Sequence, residues 1–147
     1  MAYLYGIDKV RESLEDDVVG MFIKDAIFNE ICTTLDLPEE ELSQFSADVL
    51  DRFRNPYLEH ALMSISLNST SKYKTRVLPS VLEYIKRKNK NPEYLLFSLA
   101  ALIAFYKGER GEESFSVKDD QSALDFFATQ WAKGCLLYTS DAADELR

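Results

Sequence analysis

Apolar positions along the chain recur at intervals of three and four. Val19, Phe22, Ile23, Ala26, Ile27 and Ile31 follow the acidic pair Asp16 and Asp17, whose carboxylates suit the cap of a helix. Leu37-Pro38-Glu39-Glu40-Glu41 places proline at a first helical position and three acids at the positive end of the dipole, ahead of Leu42, Phe45, Val49 and Phe53. Asn55-Pro56 marks the next break, because the residue before proline is driven from the α region; Leu58, Leu62 and Ile65 follow as one stripe. Pro79 opens a segment with Leu82 and Ile85, and Asn91-Pro92 repeats the cap-then-proline device. The stretch Tyr94–Tyr106 is apolar on every side, which predicts a central, fully surrounded helix stopped by Lys107 and Gly108. Asp119 or Asp120 caps a last pattern of Leu124, Phe127 and Trp131. No period-two alternation persists and no hairpin signal bounds a β-branched run, so the pattern predicts an all-α fold, one domain over residues 1–134.

Composition narrows the classes. With 147 residues, 46% hydrophobic, and only 5 Gly and 4 Pro, the chain has the makings of an apolar core and is neither collagen-like nor of low complexity. Two cysteines, Cys32 and Cys135, make no disulfide framework and suit a reducing, cytoplasmic setting, with Cys32 expected to be buried on a helical pattern. A net charge of −8 argues against a nucleic-acid partner, since phosphate affinity needs basic groups that release counterions. No window reaches the ~20 apolar residues that span a bilayer, so no membrane partner is expected. Gly108 and Gly111 follow an apolar helical run rather than a strand, and they make no phosphate cradle.

The register changes after Gly134. Residues 135–147, beginning Cys135-Leu136-Leu137-Tyr138, read like the in-frame translation of a sequencing adapter, and we expect a non-native tail there.

Charge is unevenly distributed. Residues 72–90 carry 7 bases and 1 acid in an otherwise acidic chain. Lys86-Arg87-Lys88-Asn89-Lys90 closes a helix, where cations complement the negative dipole end and stay in water. Lys72, Lys74 and Arg76 differ, because they follow the polar string Asn68-Ser69-Thr70-Ser71 between two apolar helices. Three cations and several hydroxyls in one connection suit a small polyhydroxylated anion: carboxylate to Lys or Arg, hydroxyls to Asn68 and the serines. A solvated turn is the alternative. Cys32 and His60 alone cannot build a zinc site, and no G-x-S-x-G elbow supports a Ser-His-Asp triad on His60.

Three stretches carry a resemblance. Arg52-Phe53-Arg54-Asn55-Pro56-Tyr57, the string from Ser64 to Pro79, and Phe97-Ser98-Leu99-Ala100-Ala101-Leu102-Ile103 with Tyr106-Lys107-Gly108 together resemble the C-terminal domain of the mannitol dehydrogenase family, over about residues 3–133. The resemblance implies a helical C-terminal domain cut at both ends. It implies a parent with an N-terminal Rossmann domain that binds NAD, moving hydride between nicotinamide and a sugar carbonyl or alcohol. The wording is closest to the hexuronate-processing members, which implies a hexuronate or aldonate substrate. A fructuronate or mannitol reductase domain is the nearest alternative, and a free-standing helical interaction module is the alternative of another class. The family's catalytic triplet, a Lys with an Asn five residues on and a His three further, does not occur in this sequence. The isolated chain is therefore expected to be inactive. Lys72 matches a lysine that reaches substrate in polyol-oxidising relatives, while Ser64 stands where they carry an arginine. That departure is compatible with a hexuronate whose carboxylate uses Lys72, Lys74 or Arg76.

Overall fold

A computed structural model of the chain describes residues 1–57 and 59–134. The expectations for Leu58 and for residues 135–147 fall outside them. The described fold is all-α with one small hairpin. Its helices are α1 (Ala2–Tyr5), α2 (Val10–Glu15), α3 (Asp17–Asp25), α4 (Glu39–Phe53), α5 (Leu62–Ile65), α6 (Ser69–Lys72), α7 (Leu78–Lys88), α8 (Glu93–Phe105) and α9 (Gln121–Ala132). β1 (Glu109–Arg110) pairs antiparallel with β2 (Glu113–Ser114). None of the described helices is long and apolar enough to cross a membrane.

Two continuous helical rods change pitch midway. α3 runs into a π turn at Ala26–Ile31 and a 3₁₀ turn at Cys32–Thr34; α6 reaches α7 through a second π turn at Tyr73–Val77. The second has a local cause. Pro79 has no N–H for the carbonyl of Thr75, and its ring crowds that carbonyl, so the helix widens in the turn before it. The core sits where the rods meet α8: Ala26, Val81 and Leu95 pack together, flanked by Ile31, Val77, Leu78, Tyr94 and Leu96. Gly20 lets α3 lie close to α2, since a Cβ there would stand 2.6 Å from the carbonyl oxygen of Leu14.

The caps follow the sequence in part. Asp16 accepts from the backbone N–H groups of Val18 (3.0 Å) and Val19 (2.8 Å), as the acidic pair predicted. At α8 the cap comes from far away. Pro92 holds the N-cap position without a side-chain acceptor, and buried Glu30 of the π turn takes the backbone N–H groups of Tyr94 (2.9 Å) and Leu95 (2.8 Å). A carboxylate aimed at two orphan amides offsets its own desolvation and the positive helix end together.

Several expectations are corrected. Asn55 makes an Asx turn, accepting from Tyr57 N–H (3.0 Å), and among the described residues helix resumes at Leu62. α8 is not fully surrounded: Leu95 and Phe105 are buried, but Phe97 is 55% exposed and Ala100 and Ala104 share an uncovered face. Cys32 is half-buried, its Sγ 3.5 Å from Ser46 Oγ. Gly108 and Gly111 adopt φ of 75° and 61°, the left-handed values that shape the β1–β2 hairpin.

Candidate functional site

The site is built where α1, α5, the α6–α7 rod and α8 converge. Val10 N–H donates to the carbonyl of His60 (2.9 Å) and Leu62 N–H to that of Asp8 (2.8 Å), which pins the beginning of the chain beside α5. Tyr3 then meets Phe115 and Phe105 edge-on, with the Arg110 guanidinium 4.4 Å from its ring centroid. These contacts bring Met1, Ala2 and Tyr3 to one side of a cavity of about 380 Å³.

Lys72 and Arg76 both line that cavity. They stand four apart on one rod, so they share a face, and Ser69 three residues earlier shares it too. Lys74, two residues on, faces away; it lines a separate hollow with Ser71, Phe126 and Phe127. Asn68 lies in neither lining. It adopts φ 53°, a left-handed value asparagine tolerates, and exchanges backbone bonds with Lys118 (N–H to carbonyl, 3.0 Å) and Lys72 (carbonyl from N–H, 3.1 Å). Of the four residues the sequence singled out, the fold brings Lys72 and Arg76 together and sends Lys74 and Asn68 elsewhere.

The cavity has three kinds of surface. Lys72 and Arg76 supply cations; Ser66, Ser69, Tyr73 and Ser98 supply hydroxyls; Leu62, Ile65, Val77, Leu102 and Phe105 make an apolar floor. No carboxylate or imidazole is among the described lining residues. His60 is exposed in another, smaller hollow with Glu59 and Asn55. Lys72 Nζ donates to the carbonyl of Ile65 (2.9 Å), which fixes the ammonium and leaves two of its three donors. Neither Lys72 nor Arg76 forms an ion pair with any described carboxylate. Tyr73 and Ser98 both donate to the carbonyl of Leu95 (3.0 and 2.6 Å), and burial pushes the Tyr73 phenol above its ordinary range. Burial also lowers the pKa of the Met1 α-amino group at the rim.

A latch holds the rod. Asp119 Oδ2 accepts from Thr70 N–H (3.0 Å), Thr70 Oγ1 (2.9 Å) and the Tyr106 hydroxyl. Burial works to raise the Asp119 pKa, yet these bonds and one from Asp120 N–H hold it below the ordinary range. Tyr106 is pushed up to about 12 by burial and by the same carboxylate, and it stacks on Phe127 at 4.3 Å. Asp119 thus serves the start of α6 rather than α9, whose N-cap is Asp120.

Sequence reasoning passed over Tyr73 and Ser98. Ser98 carried a signal: it is the one serine in the apolar run Tyr94–Tyr106. The described residues do not fit a dinucleotide. They have no parallel sheet and no glycine-rich strand-to-helix turn, and Gly108 and Gly111 are occupied in a hairpin.

Residues 1–133 match the family model described as the mannitol dehydrogenase C-terminal domain, and the chain belongs to that family. Altronate oxidoreductase of Enterobacter sp. (strain 638) is 49% identical over 133 residues, covering 90% of this chain and 28% of that protein. Altronate oxidoreductase of Yersinia enterocolitica is 46% identical over 131 residues, 89% of this chain and 27% of that protein. The same-named protein of Pectobacterium carotovorum is 46% identical over 137 residues, 90% and 28% respectively. The chain spans little more than a quarter of the length of these curated relatives.

Proposed function

We propose that this member of the mannitol dehydrogenase C-terminal family is the substrate-holding part of an altronate-type oxidoreductase, and that its cavity takes a hexonate or hexuronate. One observation carries the reading: two cations with no carboxylate partner among the described residues share a cavity with four hydroxyls and an apolar floor. A sugar acid is the matching shape, with a carboxylate for Lys72 and Arg76, hydroxyls for Ser66, Ser69 and Ser98, and C–H faces for Leu102 and Phe105. Asn68 belongs to this proposal only as a support of the rod through its backbone bonds, and Lys74, which lines a separate hollow, is not a group that touches the ligand.

The chemistry divides accordingly. Oxidising an alcohol needs a base for its proton, groups to polarise the oxygen and a hydride acceptor. NAD supplies the acceptor in our reading, held by a Rossmann portion of the longer parent, because the described residues offer the pyrophosphate no cradle. The residues here bind, orient and exclude water: Lys72, fixed by Ile65, presents two remaining donors, and the floor keeps the ligand's apolar face dry. We place the protein in a reducing, cytoplasmic compartment, which suits the free thiol of Cys32. The isolated chain is expected to bind without turning substrate over.

Titration of the 147-residue chain with D-altronate by calorimetry tests the reading. Saturable binding that falls at least tenfold in Lys72→Ala, with an unchanged circular dichroism spectrum, is the expected result. Binding untouched by Lys72→Ala would remove the cavity from consideration. A helical interaction module, the reading of another class, draws on the uncovered face of α8 around Phe97, and it predicts no altronate binding at all.

A further inference from the structure

We propose that Arg76 is the group by which this cavity distinguishes a sugar acid from the neutral polyol of the same carbon skeleton, while Lys72 serves both. The inference rests on the function proposed above and deepens it. The two cations share a face but are held differently. Lys72 is half-buried and tethered to the Ile65 carbonyl at 2.9 Å, so its ammonium is a fixed point donor that serves a hydroxyl as readily as a carboxylate. Arg76 is exposed at the rim and makes no side-chain hydrogen bond or ion pair to any described residue, which leaves the whole guanidinium fork unclaimed. That planar fork matches a carboxylate bidentately and gains little from an isolated hydroxyl.

The surroundings push the same way. Like charges four apart on a helical rod repel, and no acid in the described lining relieves them. An anionic ligand removes the repulsion, whereas a hexitol leaves it in place. Nor is another guanidinium present among the described lining residues.

The experiment compares D-altronate with the corresponding neutral hexitol on the full 147-residue chain and its Arg76→Gln, Arg76→Lys and Lys72→Gln variants. Each variant is checked for the wild-type melting curve. Wild type is expected to prefer the hexonate by about tenfold or more. Arg76→Gln should weaken hexonate binding about tenfold and leave hexitol binding within twofold, which collapses the preference; Arg76→Lys should restore part of it; Lys72→Gln should weaken both ligands. If Lys72→Gln weakens both while Arg76→Gln leaves the preference intact, Arg76 has no selective role and the cavity reading survives. If Lys72→Gln changes neither, or wild type binds neither, the cavity reading fails and takes this inference with it.

Discussion

Among the bases of residues 72–90, two pairs, Lys86 with Arg87 and Lys72 with Arg76, have opposite surroundings. At the end of α7, Arg87 lies between Asp36 (2.8 Å) and Glu83 (2.7 Å), and Lys86 sits 3.6 Å from the same Glu83. Those cations are answered by carboxylates and by the negative helix end. About three to four helical turns earlier, Lys72 and Arg76 line a cavity and meet no described carboxylate. Sequence already sets the two pairs apart, one closing a helix and one following the polar string Asn68-Ser69-Thr70-Ser71, but it does not show which carboxylates answer them. Structure separates charge answered within the protein, which should register in stability, from charge with no described acid partner, which under the function proposed above should register in binding.

The largest stability effect should come from the most completely answered charge. Glu30 is 3% exposed and holds the first amides of α8 through both oxygens. Glu30→Ala leaves two buried N–H groups at a proline-led helix start, with no neighbouring side chain to cap them. We expect a loss of about 3 kcal/mol in urea unfolding, from charge-assisted bonds worth about 1.5–3 kcal/mol each with partial compensation by water. A loss under about 1 kcal/mol would mean that an answered charge is not a stabilising one here, and the division drawn above would fall.

Next in size is the latch on the cavity rod. Tyr106→Phe removes one donor from Asp119 and should cost about 1–2 kcal/mol at neutral pH. The pH dependence separates the bond from the stacking. Tyr106 is raised to about 12 in the folded protein against about 10 unfolded, so its contribution is full below about pH 10 and disappears as pH rises toward 12. Asp119 is lowered, so its share is full above about pH 4 and is lost on acidification through its folded value. The gap in melting temperature between wild type and Tyr106→Phe should therefore narrow steadily above pH 10. A constant gap up to pH 12 would assign the effect to packing on Phe127 instead.

Local signals and long-range ones differed in how far they could be read. The helices α3, α4, α7, α8 and α9, the Asp16 cap and the break before α4 were legible because each rests on residues within a few positions of one another, whereas α1, α2 and α6 were not anticipated from that pattern. Lys72 and Arg76 stood out for the same reason, as cations in a polar connection. Their separation from Lys74 was not legible, since it needs the rod to be helical through residues 69–77, where the text read as a loop. Tyr73 bonds to Leu95, Glu30 caps α8 and Asp119 grips Thr70 across separations of 22 to 65 residues, and Ser98 joins the cavity through the packing of whole elements. The exposed face of α8 was misread for a related reason: composition shows that a helix is apolar all round but not what is present to cover it.

The smallest effect should come from the answered cations on the surface. Arg87→Ala should lower the melting temperature measurably but slightly, because Asp36 is 85% exposed at its side chain and solvent screens the pair. The sign with pH follows from the partners. Arg87 holds the carboxyl of Asp36 below its ordinary range through its hydrogen bond first and its charge second, and its hydrogen bond is the first cause lowering Glu83, followed by the charges of Lys86 and Arg87. A lowered carboxylate stabilises above its unfolded value, near 4, and loses that contribution as pH falls through the folded one. The difference between wild type and Arg87→Ala should thus be flat from pH 7 to about 5 and shrink below about 4, and it should also shrink in high salt. Altronate affinity should stay within twofold, since Arg87 is not among the cavity-lining residues. If Arg87→Ala instead weakens altronate as much as Lys72→Ala does, the two halves of the basic run act as one field, and the cavity cations have no special claim on the ligand.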